Sequence, residues 1–484
     1  MLINDGLFLD KFPKWFKTLV STGEVQRLRK VRQLGSVPAV YPNATHTRYS
    51  HSIGTAGQTL KLWRMLVDKA REDKIDLGDE GNLERTVVTA GLTHDLGHPA
   101  GSHVYERQYR IVLGSTHEDI SAQLILGELS YISAIERMPP GVMSDLEKKA
   151  LIEVLKTDPS ISSAIAEINV NKKIDLKHAI ANIVRGIKDG KNKFQVEIVS
   201  GIAGTDRMDY LPRDAIAAGI KETTFNPEYL QHRMRIVEFE DALYLAIEEE
   251  GISNLRDMMT ARRKMHTQVY TYEKVLIYEA LRVEGVKRAL LSAEDDVQRY
   301  KDSILLMDDE QFERFIAVYN KDPVALRLIK IADYSPRNWY KIAWGSSANK
   351  GTTEDDNQFI EKIGQLEGRF PEDTARDAIV ERANAGMSDK LENHEVIVYV
   401  RDGARPKTRG QQLQKFDLVV IGQDGKPYRA RDRVGKSLFD GNITEAFEEM
   451  IKPALSHRLM VVTPEQYIPR VARAAEEYKQ ELLK

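Results

Sequence analysis

Residues 85–98, RTVVTAGLTHDLGH, run an apolar stretch directly into His94-Asp95 and, past Gly97, into His98. The first part, Arg85–Gly91, has the texture of a buried helix, and Gly97 is expected to loosen the chain after it. On a helix, residues three or four apart share a face, so His94 and His98 are expected as neighbours. His103 and Glu106 would be neighbours too if a helix resumes beyond Pro99. Ser115 and Glu118 have the S-x-x-E form of a capping box, which puts His117 in the first turn of the next helix, an end suited to an anionic ligand. Six of the eleven histidines (His46, His51, His94, His98, His103 and His117) fall within residues 46–117, where even spacing would give about two. Any one of them reads most simply as a satisfied core residue. Six together, with His94 followed at once by Asp95, favour a metal or acid–base site. Neutral nitrogen and anionic oxygen donors together suit iron, zinc, manganese or nickel rather than calcium.

Outward from this stretch the chain reads as mainly α. Glu24–Leu34, Gly57–Asp68, Arg85–His94, Ile120–Leu126 and Lys274–Ser292 carry apolar residues at helical spacing, separated by turn signals such as Tyr41-Pro42-Asn43. Past about residue 390 the texture changes to short β-branched runs, His394–Val400, Phe416–Ile421 and Leu459–Thr463, before a charged helix at Pro469–Lys484. The expected organisation is a helical domain over 1–345, a helical connection over 346–390 and a small α+β region over 391–484. Asp206, Tyr210 and Asp214 recur every four residues and share one helix face, with Arg207 beside them and Pro212 pinning the turn nearby. Two acids flanking a tyrosine are an unusual stripe for a merely solvated surface.

Composition narrows the classes. Among 484 residues there is no cysteine, so disulfides, thiolate catalysis and iron–sulfur clusters are excluded, and a metal would need His, Asp or Glu. With 42% hydrophobic residues the chain can bury a large core, and a net charge of −3 does not mark a general polyanion binder. No apolar run is long enough for a transmembrane helix, and the opening MLINDGLFLDKFPKWF lacks the order of a signal peptide, so a cytoplasmic protein without a membrane partner is expected. The basic stretch 401–436 reads first as a charged sheet edge and second as a nucleotide or nucleic-acid contact. Its Gly435-Lys436-Ser437 is not a P-loop, because Ala430 stands where that loop requires glycine.

Five ordered blocks carry a family resemblance: His46-Thr-Arg48-Tyr-Ser-His51-Ser-Ile-Gly54, His94-Asp95-Leu-Gly-His98, His117-Glu118, Asp206-x-x-Asp-Tyr210-x-x-Arg213-Asp214 and, more weakly, Arg337–Lys341. The set resembles the HD-domain deoxynucleoside triphosphate triphosphohydrolases, closest to the branch of the sterile-alpha-motif/HD-domain enzyme and its bacterial relatives. It spans roughly residues 20–290, with Arg337–Lys341 a weaker echo beyond. No GYP triplet occurs, unlike in the cyclic-dinucleotide HD phosphodiesterases. The resemblance implies a helical HD phosphohydrolase core in which His51, His94, Asp95 and Asp206 hold a divalent metal (Fe, Zn, Mn, Ni or Mg). It implies that His98 lies against the phosphates and that His103, Glu106 and His117 form the acid–base group. Gln33 and Leu34 would border the sugar, Arg48 and Arg207 hold phosphates, Tyr210 pack under the deoxyribose, and Asp214 accept the 3′-hydroxyl. Arg262 and Tyr270 would reach the distal phosphates and the base.

The implied reaction is hydrolysis of a dNTP to deoxynucleoside and tripolyphosphate. The alternatives are action on nucleoside mono- or diphosphates, or a nucleic-acid binding or nuclease protein; a nucleic-acid partner is possible on the last reading but is not the expectation. The resemblance further implies a homo-oligomer, tetramer or hexamer, with an allosteric nucleotide at a subunit interface. There the chain keeps Gln26-Arg27-Leu28-Arg29, but Ser21 stands where relatives place a guanine-reading Asp, so strict dependence on GTP is not expected. Arg29 and Lys30 could still meet phosphates, or could solvate a helix whose Val25, Leu28 and Val31 face the core.

Overall fold

The computed structural model describes residues 2–4, 9–221, 225–334, 340–345, 354–400, 418–430 and 459–484, and the fold is mainly α with small sheets. At its centre, α1 (Arg48–Glu72) packs on α2 (Glu80–Thr93). Asp79 caps α2 by accepting from the Asn82 amide at 3.0 Å, and Leu83, Val87, Val88, Ala90 and Leu92 are buried. The helices approach closely at Gly91, where a Cβ would lie 2.7 Å from Thr59 Oγ1. That contact brings the start of α1, with His51, beside the end of α2, where His94 follows.

Around this pair lie α3 (Glu106–Leu113), α4 (His117–Leu126), α5 (Thr205–Ala218), α6 (Ile252–Met265) and α7 (Glu273–Ser292). The helix expected over Glu24–Leu34 is shorter: Gly23–Arg27, then a 3₁₀ turn to Lys30. Its Val25, Leu28 and Val31 are buried, while Arg29 and Lys30 are exposed. The cap before α4 is Thr116, which accepts from Asp119 at 3.2 Å; the box proposed on Ser115 and Glu118 is displaced by one residue, and His117 is the first residue of the helix.

A hairpin that the sequence reading missed, β1 (Met234–Phe239) and β2 (Ala242–Glu248), turns at Glu240-Asp241, both in the left-handed region at φ 49° and 59°. After β3 (Tyr340–Gly345), helices α8 (Glu354–Ile363) and α9 (Pro371–Asn384) lead to β4 (Ile397–Val400). The hairpin sheet gains β5 (Val419–Ile421), parallel to β2, and β6 (Pro427–Arg429). Finally β7 (Leu459–Pro464) inserts between β3 and β4, and α10 (Ile468–Leu483) follows.

The β3-β7-β4 sheet is buried on both faces, and strand alternation divides its side chains between two cores. Ile397, Tyr399, Met460 and Val462 join the main core. Val398, Leu459 and Val461 join a second one with Phe359, Ile379 and Val471 from α8, α9 and α10. Residues on both sides of positions 345 and 390 therefore share apolar cores, at about 1.5–3 kcal/mol per fully buried large aliphatic side chain. Ion pairs tie α9 to the helical core: Arg107 on α3 forks onto Glu372, with Nη2 2.8 Å from Oε2, and Lys287 on α7 reaches Asp373 at 2.5 Å. The basic stretch falls outside the described residues at 401–417 and 431–436, as do Arg337–Trp339; Tyr340 and Lys341 open β3.

Candidate active site

Three elements converge on one group of donors. His51 lies in the first turn of α1, His94 and Asp95 follow α2, and Asp206 lies in the first turn of α5. His51 Nε2 is 3.2 Å from Asp206 Oδ1 and 3.4 Å from Asp95 Oδ2. His94 Nε2 is 3.4 Å from Asp95 Oδ1 and 3.6 Å from Asp206 Oδ1. The other ring nitrogens are already engaged: His94 Nδ1 with the Gly91 carbonyl at 2.9 Å, His51 Nδ1 with Asp209 Oδ2 at 2.8 Å. Both rings are thereby oriented with Nε2 toward the carboxylates, the arrangement a ligating histidine adopts. His94 Nε2 is buried with no hydrogen-bond partner among the described residues, an orphan that a cation would satisfy. Two imidazoles and two carboxylates fit a divalent transition metal. Burial by itself would raise the Asp95 pKa, but Arg48, His94 and His98 outweigh it and hold the carboxyl well below the usual range.

His98 Nε2 lies 3.3 Å from Asp95 Oδ1, the oxygen that His94 Nε2 also approaches, so the two histidines meet at one carboxylate, though not through a shared helix face. α2 ends at Thr93, so His94 and His98 do not share a helix face. Gly97 packs rather than loosens: a Cβ there would lie 2.2 Å from the His117 carbonyl oxygen. The Gly97 amide donates to Ser121 Oγ at 2.7 Å, and that hydroxyl donates to the His94 carbonyl at 3.0 Å. The 94–98 turn is thus docked on α4, and His98 stacks on His117 with ring centres 4.0 Å apart. Glu106 bridges two histidines, accepting from His103 Nδ1 at 2.8 Å with one oxygen and from His117 Nδ1 with the other. Burial disfavours a charged His117, yet the bond and charge of Glu106 prevail and raise its pKa. Burial and the Arg48 guanidinium push His98 the other way, well below its ordinary value.

Arg48 is buried, donating to Asp95 Oδ2 at 2.6 Å and Ser102 Oγ at 3.0 Å, with Nη2 unpartnered among the described residues. Along α5, Arg207 donates to the Gly201 carbonyl, while Asp214 accepts from the Tyr270 hydroxyl at 2.5 Å and from His46 Nε2 at 2.8 Å. All sixteen residues singled out from the sequence as catalytic, substrate-binding or metal-ligating line one cavity of about 670 Å³. Tyr399 and Val400 of β4 line it as well.

The sequence reading assigned no role to several residues that hold this group in place. Arg213 forks onto Asp209 (Nη2–Oδ1 2.7 Å, Nε–Oδ2 2.9 Å), and Asp209 in turn orients His51. Their i, i+4 spacing on α5 was the available signal. Arg27, buried, donates to the carbonyls of Leu96 (2.7 Å), His98 (2.7 Å) and Met307 (3.0 Å), and so pins the histidine turn. Gly54 leaves room for the Asp209–Arg213 pair, since a Cβ there would lie 1.9 Å from Asp209 Oδ1 and 2.3 Å from Arg213 Nη2. Gly54→Ala is therefore expected to weaken metal affinity by roughly 10–100-fold, the usual scale for losing a ligand's outer partner. Chelator competition measures it, and an unchanged Kd would show that Asp209 does not orient His51.

The fold and this cavity define a mainly helical protein with a His/Asp metal-type site beside a histidine–glutamate group. No protein-family model matches the chain. It is 28% identical over 272 residues to YwfO of Bacillus subtilis, covering 56% of this chain and 51% of that protein. It is 26% identical over 346 residues to the deoxynucleoside triphosphate triphosphohydrolase SAMHD1 of Bos taurus (67% and 55%), and 24% identical over 449 residues to MJ1154 of Methanocaldococcus jannaschii (90% and 80%). The chain spans about half the length of the first two relatives. This similarity supports the family resemblance read from the motifs. Among the described residues no helix is long and apolar enough to cross a membrane.

Proposed function

We propose that the chain hydrolyses deoxynucleoside triphosphates to deoxynucleoside and tripolyphosphate, using a divalent metal drawn from Fe, Zn, Mn, Ni or Mg. The observation carrying this reading is the meeting, in one cavity, of the His51/His94/Asp95/Asp206 donors, the bridged His103–Glu106–His117 group and the Tyr210–Asp214–Tyr270 face. A bound metal would polarise a phosphoryl oxygen and lower the pKa of water for attack on phosphorus. Arg48, Arg207 and Arg262 spread the charge of the phosphate chain. His117, kept protonated by Glu106, gives its proton to the leaving 5′-oxygen, and neutral His98 lies beside the phosphates as a hydrogen-bond partner. Tyr210 packs under the deoxyribose and leaves no room for a 2′-hydroxyl, while Gln33 and Leu34 border the sugar. A homo-oligomer is part of the same reading, and a nucleotide at its interface would meet the exposed Arg29 and Lys30.

The test is product chromatography after incubating the purified protein with each dNTP, with ATP, and with each metal in turn. Tripolyphosphate and deoxynucleoside are expected from dNTPs, with ATP a poor substrate. Orthophosphate or a nucleoside diphosphate as the first product would overturn the reading in favour of a different phosphohydrolase.

A further inference from the structure

Helix α3, which carries Glu106, is poorly fixed by the sequence next to it. Just before it, Gly101 and Ser102 both occupy the left-handed region, at φ 71° and 53°. That conformation is unfavourable for serine and persists only where surrounding contacts impose it. Here the Gly101 amide donates to Asp309 Oδ1 at 3.0 Å and Ser102 Oγ donates to the Arg32 carbonyl at 2.6 Å, so the corner itself is held. Past the corner, Tyr105 stands at the cap position of α3 without giving it a side-chain hydrogen bond. The buried apolar residues of the helix, Tyr109, Val112 and Leu113, begin only at its fourth residue. Arg107 adds a cation to the first turn, where the helix dipole disfavours positive charge.

What compensates that cation lies 265 residues further along the chain. Arg107 Nη1 and Nη2 donate to Glu372 Oε1 and Oε2, the second contact at 2.8 Å. Glu372 is 5% exposed and sits in the first turn of α9, an end where the dipole favours a carboxylate. The buried Phe370 ring, just before α9, lies 5.8 Å from the guanidinium. A bidentate arginine–carboxylate pair fixes direction as well as distance. Glu106 is the neighbour of Arg107, and its two oxygens each hold one histidine, so a rotation of this turn moves both rings together. The unit of α8, α9 and α10 with its sheet meets the cavity wall a second time at Tyr399 of β4, whose hydroxyl donates to Glu279 on α7. We propose that Glu372, acting through Arg107, is a positioning residue for the His103–Glu106–His117 group, which makes this C-terminal unit part of the catalytic apparatus. The proposal rests on the acid–base role given to that group above and adds to it a residue from a different part of the fold.

The experiment is a mutant cycle in the full chain, read as kcat and KM for dATP and as hydrogen exchange of the amides at 109–111, which bond back to the first turn of α3. Glu372→Ala is expected to lower kcat by about 10–100-fold, the scale of a displacement near 1 Å, with KM and metal content unchanged and exchange at 109–111 faster. That variant strands a buried guanidinium, so Arg107→Ala/Glu372→Ala, which removes both charges, is measured beside it and should show the same losses. Glu294→Gln cuts the exposed Arg369–Glu294 pair (2.6 Å) beside α9 without touching the fork and should alter neither readout. In a His117→Ala background the further loss from Glu372→Ala should shrink toward none, because the group being positioned has already lost its proton donor. A full multiplicative loss in that background marks general damage and would overturn the proposal. So would wild-type kcat in the double variant, or unchanged exchange at 109–111. Failure of the wild type to hydrolyse any dNTP would remove the triphosphohydrolase reading and this role with it, whereas the preceding outcomes remove this role alone.

Discussion

Asp206→Ala is expected to remove the bound divalent metal and reduce turnover to background while the protein stays folded. Asp206 Oδ1 stands 3.2 Å from His51 Nε2 and 3.6 Å from His94 Nε2, so one carboxylate completes the donor set from a helix separate from α1 and α2. Its side chain is 28% exposed, and alanine is the best helix former, so α5 should survive the change. Asp95→Asn is expected to lose metal and activity as well, but with more collateral effect. Asp95 is the buried partner of Arg48 at 2.6 Å, with the two side chains 5% and 2% exposed. Neutralising one member leaves the guanidinium uncompensated, a loss of about 3–5 kcal/mol where a buried pair is broken outright. Asp206→Ala is thus the cleaner variant. Metal content per chain, measured beside the thermal midpoint, decides the matter: full occupancy in a folded Asp206→Ala would remove this residue from the ligand set.

Much of the site was legible because its chemistry constrains residue type at each position. On the proposed chemistry a metal would need particular donors, a triphosphate guanidinium groups and a sugar face an aromatic ring, so the blocks from His46 to Asp214 stand out in order. Less legible was the geometry that long-range packing imposes. Gly97 reads locally as a helix breaker, yet its close approach admits the His117 carbonyl, and the turn docked there stacks His98 on His117. Arg27 lies in a stretch read as an interface, but its three carbonyl partners lie far along the chain. The β1–β2 hairpin escaped notice because its turn is Glu240-Asp241, without the glycine or asparagine that usually marks two left-handed residues. The insertion of β7 between β3 and β4 pairs it with a strand more than a hundred positions earlier, β3, and no periodicity in any one segment encodes it.

His117→Ala is expected to lower kcat by roughly 10²–10⁴-fold, the range for losing a positioned proton donor, with metal content close to normal. His117 lies on α4, a different element from those that carry the His51/His94/Asp95/Asp206 donors, and its Nδ1 is committed to Glu106. His103→Ala removes the other partner of Glu106 and is expected to act in the same direction, again without metal loss. The pH profile separates a proton donor from a structural residue. Burial opposes the charged His117 ring, but Glu106 raises its pKa above the ordinary 6.5. A general acid works in its protonated form, so activity should persist below this raised pKa and fall as pH rises through it. Glu106→Gln keeps a hydrogen-bond acceptor but removes the negative charge, which lowers the pKa of His117. The alkaline limb of kcat should then move to lower pH in Glu106→Gln and vanish in His117→Ala. An alkaline limb at the same pH in all three proteins would assign the proton to another group, and metal loss from His103→Ala would make that histidine a ligand instead.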